Sequence, residues 1–183
     1  GDAAKAAKLL ETAKTAAEAI LQDESLVKKW PALRFGSLAA ALEEYAEAAL
    51  FMKWLEAKKD PSAPLVASQQ ALGLPLTDEE YLGGVCDLTG EVGRVAVAAA
   101  TARDLATVRR VFETDVAVME AVSGLNLPPK LAKKVGPLEM CVRKVEHLLY
   151  ELALAAANPL AAKRAASSAV EEPVAKKARD DEE

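Results

Sequence analysis

The chain has few of the side chains that usually bind transition metals or act as nucleophiles. Its 183 residues include one histidine and two cysteines. Cys86 and Cys141 are too far apart for a zinc motif, and each lies beside apolar residues in a helical pattern. We therefore predict two buried free thiols and no zinc site. A di-iron helical bundle is excluded as well, because His147 does not stand in the Glu-x-x-His motif that such a bundle requires.

Aromatic residues are few, and the sequence has no long apolar run and no excess of positive charge. Only 4% of the residues are aromatic, and alanine supplies much of the apolar half of the sequence, which favours helices over strands. No apolar run reaches the roughly 18 residues of a membrane-spanning helix, so we predict a soluble protein without membrane contact. The formal net charge of −5 does not attract polyanions, so nucleic-acid binding requires local basic groups, a bound cation or a basic partner.

The spacing of the apolar residues predicts one all-α domain of about six helices over residues 1–157. Thr77 and Glu80 have the spacing of a capping box at a helix start, and Trp30-Pro31 predicts an interruption. Gly136-Pro137 predicts a kink or break in the last helix. The predicted helices cover residues 3–22, 38–58, 63–72, 78–101, 105–122 and about 130–157.

The helical pattern ends at about residue 158, where the composition becomes small, polar and charged. We therefore predict a disordered tail over residues 158–183. Its two basic clusters, residues 163–164 and 176–179, have the arrangement of a bipartite nuclear-import signal. This pattern predicts a protein found in both the cytoplasm and the nucleus.

Two pairs of acidic residues lie on one face of two predicted helices. Glu44 and Glu47 are spaced i, i+3, and Asp87 and Glu91 are spaced i, i+4, so each pair lies about one turn apart. Glu43 is predicted to be solvated instead. Two like-charged pairs on facing helices repel each other unless a cation or protons neutralise them.

Four carboxylates without a suitably placed His or Cys favour Mg²⁺ or Mn²⁺ over zinc. Such a site can bind phosphate oxygens and activate a water for in-line attack. The spacing alone leaves a second interpretation open, in which the acids form ordinary salt bridges with Arg94, Lys53 or Lys58. The helix that carries Asp87 also contains four glycines, and a helix keeps so many when a backbone or a ligand must come close.

Three segments resemble the translin superfamily, in the order that the family has them. Residues 81–94, YLGGVCDLTGEVGR, closely resemble its signature helix, and their DLTGE core resembles the subfamily of translin-associated factor X (TRAX). Residues 42–48, LEEYAEA, resemble an upstream run of the same subfamily. Residues 142–152 resemble the last helix of the family, so the similarity extends over about residues 5–155.

The resemblance implies a catalytic subunit that assembles with translin into a hollow hetero-oligomer. TRAX-like complexes are Mg²⁺-dependent endoribonucleases that cleave single-stranded RNA, in passenger-strand removal during RISC activation and in tRNA-fragment processing. The resemblance assigns catalysis and metal binding to the four acids, and translin would supply a basic lining. By charge and position, further contacts with the RNA backbone are predicted at Arg94, Lys53 and Arg34.

Two features depart from the family pattern, and two alternatives stay open. The long first helix of the family would lie before Gly1, and the insertion between the second and fourth helices is short. The run Glu43-Glu44-x-x-Glu47 also resembles half the signature of all-α nucleotide pyrophosphohydrolases. The second alternative is a non-catalytic subunit of the translin family that binds RNA or DNA or serves as a scaffold.

Overall fold

The computed structural model describes residues 2–23, 25, 29–58, 60 and 62–157, and these contain helices but no strand. The predicted all-α fold is therefore confirmed. None of the helices in this part of the chain is both long and apolar enough to cross a membrane. The elements are α1 (Asp2–Gln22), α2 (Pro31–Phe35), α3 (Ser37–Ala57), a 3₁₀ turn (Gln69–Leu72), α4 (Asp78–Thr101), α5 (Leu105–Ser123) and α6 (Pro129–Ala157).

Helix α4 lies at the centre of the bundle and packs against α3, α5 and α6. Its apolar face is fully buried at Leu88, Val92 and Ala96, which meet Val residues of α5 and α6 in the core. On α3 the largest buried side chain is Trp54, whose indole nitrogen donates a hydrogen bond to Thr114 Oγ1 at 3.0 Å. The core thus holds α3 and α4 in fixed positions relative to each other.

Two glycines allow α3 and α4 to approach closely. A Cβ at position 84 would lie 2.7 Å from the Cβ of Ala46 and 2.8 Å from the backbone nitrogen of Glu47. A Cβ at position 83 would lie 2.6 Å from the carboxyl carbon of Glu43. The prediction of close approach is confirmed at these two positions, whereas no such neighbour lies within 4 Å at Gly90 or Gly93.

We expect Gly84→Ala to lower the free energy of unfolding by about 2–3 kcal/mol, because the new methyl group would force the two helix backbones apart. Gly90→Ala is the matched control on the same helix. It meets nothing within 4 Å and should raise the free energy of unfolding by up to about 1 kcal/mol. Chemical denaturation of both variants measures the difference. Equal effects of the two substitutions would contradict the close packing.

The predicted capping box at the start of α4 is present and has an additional partner. Thr77 Oγ1 accepts a hydrogen bond from the amide of Glu80, and the Glu80 carboxylate accepts one from the amide of Thr77. The guanidinium of Arg34 also binds both carboxylate oxygens of Glu80. Arg34 belongs to α2, a short helix with Pro31 at its first turn that we did not predict. Proline fits there because the first turn needs no amide donor.

Two local predictions differ from the structure. Of residues 63–72, only Gln69–Leu72 form a helical turn, of the 3₁₀ type, and Gly73 ends it with a φ of 74°. The hydroxyl of Tyr81 donates to the carbonyl of Ala67, which an α-helix would bond to the amide of Ala71, and the hydroxyl of Tyr45 donates to the carbonyl of Leu72 at the end of the turn. Of the predicted kink or break at Gly136-Pro137, the break is wrong, since α6 is continuous through Pro137, and the kink stays a prediction.

Helix α1 lies along α3, and none of the residues of α1 itself is buried. The two helices enclose an open cavity of about 960 Å³, lined mainly by Ala and Leu side chains of α1 and by Phe51, Met52 and Leu55 of α3. The predicted disordered tail and its nuclear-import signal, residues 158–183, lie outside the described residues. The cytoplasmic and nuclear location therefore stays a prediction.

One carboxylate in the core has no partner. Asp115 on α5 is completely buried, and neither of its oxygens accepts a hydrogen bond within the described structure. Burial raises the pKa of this carboxyl group from 3.8 to about 7. The thiol of Cys141 on α6 lies close enough to interact with it electrostatically. Asp115 is thus a group whose charge opposes folding.

Candidate metal centre

The helices that Gly83 and Gly84 bring together carry the four predicted acids. Because Gly84 contacts the backbone of Glu47, Asp87 lies less than one turn further along α4 and faces the same region. Glu47, Asp87 and Glu91 are half-buried, and Glu44 is exposed. The face of α3 that carries Glu44 and Glu47 therefore lies between α4 and the cavity beside α1, and it borders the core without entering it.

The other three predicted acids all lie near enough to Glu47 to affect its carboxyl group, and we call these four residues the acid cluster. Burial raises the pKa of the Glu47 carboxyl group, and the negative charges of Asp87, Glu44 and Glu91 raise it further. Lys134 acts in the opposite direction but does not compensate. The structure thus brings the two pairs within interaction distance, and their mutual repulsion favours a bound cation or a proton.

Glu43, predicted to be solvated, is buried at 8% exposure and ion-paired, so that prediction is wrong. Its carboxylate lies against Gly83, where the missing side chain leaves the space. Lys134 Nζ lies 3.0 Å from Glu43 Oε1, and Lys130 Nζ binds Glu43 Oε2. Lys134 also donates a hydrogen bond to Asp87 Oδ2. An ammonium group from α6 thus links a buried acid of α3 to a predicted metal ligand of α4.

These ion pairs shift the pKa values of both partners in the direction that keeps them charged. Burial alone would raise the pKa of Glu43, but the hydrogen bonds from Lys130 and Lys134 lower it below its ordinary value. Burial alone would lower the pKa of Lys134, but its bonds to Asp87 and Glu43 raise it. Both groups therefore remain charged at neutral pH, and a permanent positive charge lies at one side of the cluster.

The donor set is suitable for Mg²⁺ or Mn²⁺, but the side chains do not yet surround a common point. The donors are all hard carboxylate oxygens, and the Lys134 ammonium shows that the cluster accepts a cation. Among the described residues, no three acidic, His or Cys side chains are arranged to hold a metal ion. Metal binding therefore requires rotation of side chains, above all of Asp87, which is turned towards Lys134.

Comparison with known proteins supports the resemblance seen in the sequence. The model of the translin family matches residues 3–155 of this chain. The chain belongs to the translin family. Among curated proteins, no sequence is significantly similar to it. Membership is therefore supported by the family pattern as a whole, and the assignment to the TRAX subfamily stays a prediction.

Two solved structures share the translin-like fold of this chain. A complex of AfC3PO with duplex RNA matches with a TM-score of 0.61 at 16% sequence identity, covering 86% of this chain and 90% of that one. The crystal structure of AfC3PO matches with a TM-score of 0.59 at the same identity and coverage. At this identity the likeness establishes the fold, and the roles of individual residues must be argued from this chain.

The predicted basic contacts lie in three different environments. Arg94 is 76% exposed and ion-paired with Glu91, so it borders the cluster. Lys53 follows Glu44 by nine residues, which places it on the opposite side of α3, where it lines a small cavity with Pro64. Arg34 is held by Glu80, as described above. We therefore leave Lys53 and Arg34 out of the proposed RNA contacts and keep Arg94.

Sequence reasoning missed the three residues Glu43, Lys130 and Lys134 as members of the site. Lys130 and Lys134 are spaced i, i+4 near the start of α6, so they face the same way, and this spacing is a signal that was available. Nothing in the sequence indicates which acids they meet. The predicted ordinary salt bridges are partly present, since Arg94 binds Glu91, whereas Lys58 lies 3.6 Å from Asp104.

The cysteines and the histidine take no part in the cluster. Both thiols are free; Cys86 is buried as predicted, whereas Cys141 is only half-buried. Burial raises the pKa of each thiol, so neither is a reactive thiolate. His147 is exposed on α6, with its Nε2 3.7 Å from a carboxylate oxygen of Glu151.

Proposed function

We propose that this chain is the catalytic subunit of a divalent-cation-dependent endoribonuclease that assembles with a translin-type partner. The observation that supports it most is the half-buried Glu47, which interacts with Asp87, Glu44 and Glu91 across the close contact of α3 and α4. Lys134 and Arg94 form ion pairs with Asp87 and Glu91, but no ion pair within the described residues offsets the charge of Glu44 or Glu47, as a complete salt-bridge network would. The family of the chain and its fold are consistent with a role on RNA.

In the proposed function, the residues of this chain would have distinct roles. The four acids would bind Mg²⁺ or Mn²⁺, which offsets negative charge on the phosphate and makes water more acidic. Arg94, exposed at the edge of the cluster, would hold a neighbouring phosphate of the RNA. The backbone contact at Gly84 keeps the two acid pairs at a fixed separation. A partner with a basic surface would offset the net charge of −5 and attract the RNA.

One observation favours the alternative, a non-catalytic RNA-binding subunit of the translin family. Lys134 already occupies one oxygen of Asp87, and such a pair is also found in sites that never bind metal. The substrate class is open in the same way, because the fold relative AfC3PO is known in complex with duplex RNA. Both questions are decided by the same assay.

The full chain, alone and with a translin-type partner, is incubated with end-labelled RNA of one sequence in single-stranded and duplex form. We expect cleavage of the single strand in the presence of Mg²⁺ or Mn²⁺ and none with EDTA. Nucleoside triphosphates in parallel reactions test the pyrophosphohydrolase alternative. RNA binding without cleavage under every condition would refute the catalytic role and support the non-catalytic subunit.

A further inference from the structure

Lys134 has two carboxylate partners that differ in kind. Asp87 is 34% exposed, belongs to the acid cluster and is a proposed metal ligand. The side chain of Glu43 is 10% exposed, lies against Gly83 and is held by Lys130 as well. One partner can therefore exchange Lys134 for another cation, and the other cannot easily leave it. Lys134 itself is 22% exposed, so its ammonium group lies at the boundary between the core and the open side of the cluster.

We propose that Lys134 is a positioning residue that acts as an internal cation of the metal site, an inference that rests on the proposed function. In the metal-free chain, Lys134 binds Asp87 and reduces the repulsion within the acid cluster. When a divalent cation arrives, Asp87 turns towards it, and Glu43 alone retains the lysine.

The charges favour such an exchange. An ammonium group and a divalent cation on the same carboxylate repel each other at a partly buried site, so a cation bound to Asp87 weakens the bond between Asp87 and Lys134. If Asp87 were the only partner of Lys134, its loss would leave the ammonium group unpaired and poorly solvated, which is strongly unfavourable. Glu43 removes that penalty, because its oxygen remains 3.0 Å from Lys134 Nζ without any movement of the backbone.

The arrangement also accounts for two observations that the four acids alone do not explain. Glu43 is a buried acid outside the cluster, and its carboxylate fits only because position 83 has no side chain. The described residues contain no ready-made metal cage, and one of the four acids, Asp87, is turned towards Lys134. A site in which a lysine already offsets part of the negative charge of the acids would show both features before a metal binds.

The test is Mn²⁺ binding to the full chain, measured through the electron paramagnetic resonance signals of free and bound Mn²⁺. Removing the lysine charge in Lys134→Met should tighten Mn²⁺ binding by about tenfold, because the competing cation is gone. Lys134→Arg keeps the charge and should return the affinity to within about threefold of wild type. Lys133→Met, which removes the same charge from an exposed position one residue away, should change it by less than about twofold.

Glu43→Gln gives the opposite prediction. Without the anionic anchor, Lys134 keeps Asp87 as its only carboxylate partner, so Mn²⁺ binding should weaken. The double variant Glu43→Gln, Lys134→Met should bind Mn²⁺ like Lys134→Met, since the anchor has no further role once the lysine is absent. If the two charge changes only added, the double variant would bind Mn²⁺ more weakly than Lys134→Met, by the same factor as Glu43→Gln is weaker than wild type, and the inference would be refuted.

The outcomes separate this inference from the proposed function. If Asp87→Asn abolishes Mn²⁺ binding, but Lys134→Met and Lys133→Met bind Mn²⁺ with equal affinity, the proposed metal site stands and the role of Lys134 is refuted. If the wild-type chain and Asp87→Asn bind Mn²⁺ equally weakly, the proposed metal site is refuted, and the role of Lys134 with it. A lower thermal stability of metal-free Lys134→Met that Mn²⁺ restores supports the inference, because it shows that one cation replaces the other.

Discussion

Asp87→Asn is expected to reduce divalent-cation-dependent RNA cleavage by on the order of 1000-fold. The substitution keeps the shape of the side chain but replaces an anionic oxygen with an amide at the point where the proposed metal and Lys134 meet. Asp87 is half-buried and makes its ion pair from the centre of α4, so the helix and the bundle should remain folded. The measurement is the single-turnover cleavage rate of single-stranded RNA, together with the oligomeric state of the complex.

The matched control is Asp78→Asn, which makes the same chemical change on the same helix. Asp78 is exposed in the first turn of α4, about two and a half turns from Asp87, so its replacement should leave the cleavage rate within about twofold. Circular dichroism of both variants shows whether the helices are intact. Asp87→Asn that assembles normally and cleaves RNA at the wild-type rate would show that the cluster is not the catalytic site.

Asp115→Asn is expected to abolish most of a pH-dependent loss of stability that the wild-type chain shows between about pH 4 and pH 7. The folded chain holds a proton on Asp115 up to about pH 7, whereas the unfolded chain releases it near 3.8. Over this range the folded state binds the extra proton, so its free energy of unfolding falls as the pH rises. At about 1.4 kcal/mol per pH unit, the rise in pKa corresponds to about 4 kcal/mol.

The readout is the difference between the unfolding free energies of the two chains, measured by urea denaturation from pH 4 to pH 8. Taking the difference cancels the contributions of the other carboxyl groups, several of which have lowered pKa values and act in the opposite direction. Glu113→Gln, an exposed position on the same helix, should leave the pH dependence unchanged. A wild-type slope that persists in Asp115→Asn would show that Asp115 is ionised in the folded chain.

The helices could be predicted from the sequence because most of their determinants are local. The capping box at Thr77 and Glu80, the apolar spacing of α4 and the stop near Gly124 each act within a few residues, and α4 and α5 appear almost at the predicted ends. The helix predicted over residues 63–72 was largely wrong. The side chain of Tyr81 binds the carbonyl of Ala67, which such a helix would bond to the amide of Ala71, and Tyr45 binds the carbonyl of Leu72 at its end. Such long-range hydrogen bonds leave no local signal.

The candidate site was predictable in part for the same reason. The four acids could be found because each pair repeats within one helix, and the family resemblance connects the two pairs. The environment of Glu43 could not be found, because the lysines that bind it come from α6, almost ninety residues later. Burial of an acid depends on what covers it, and a pattern of one helix cannot show that. The burial of Asp115 could not be predicted from the sequence for the same reason.

The four glycines of α4 have a consequence for how the site comes into existence. Each glycine in a helix interior disfavours the helix by up to about 1 kcal/mol relative to alanine, so this segment by itself is a weak helix. It becomes helical only through its packing against α3, α5 and α6, and the acid pairs therefore meet only when the whole bundle has formed. Folding and assembly of the proposed metal site are then one cooperative event, and a cation held there would stabilise the entire bundle and not only two turns of helix.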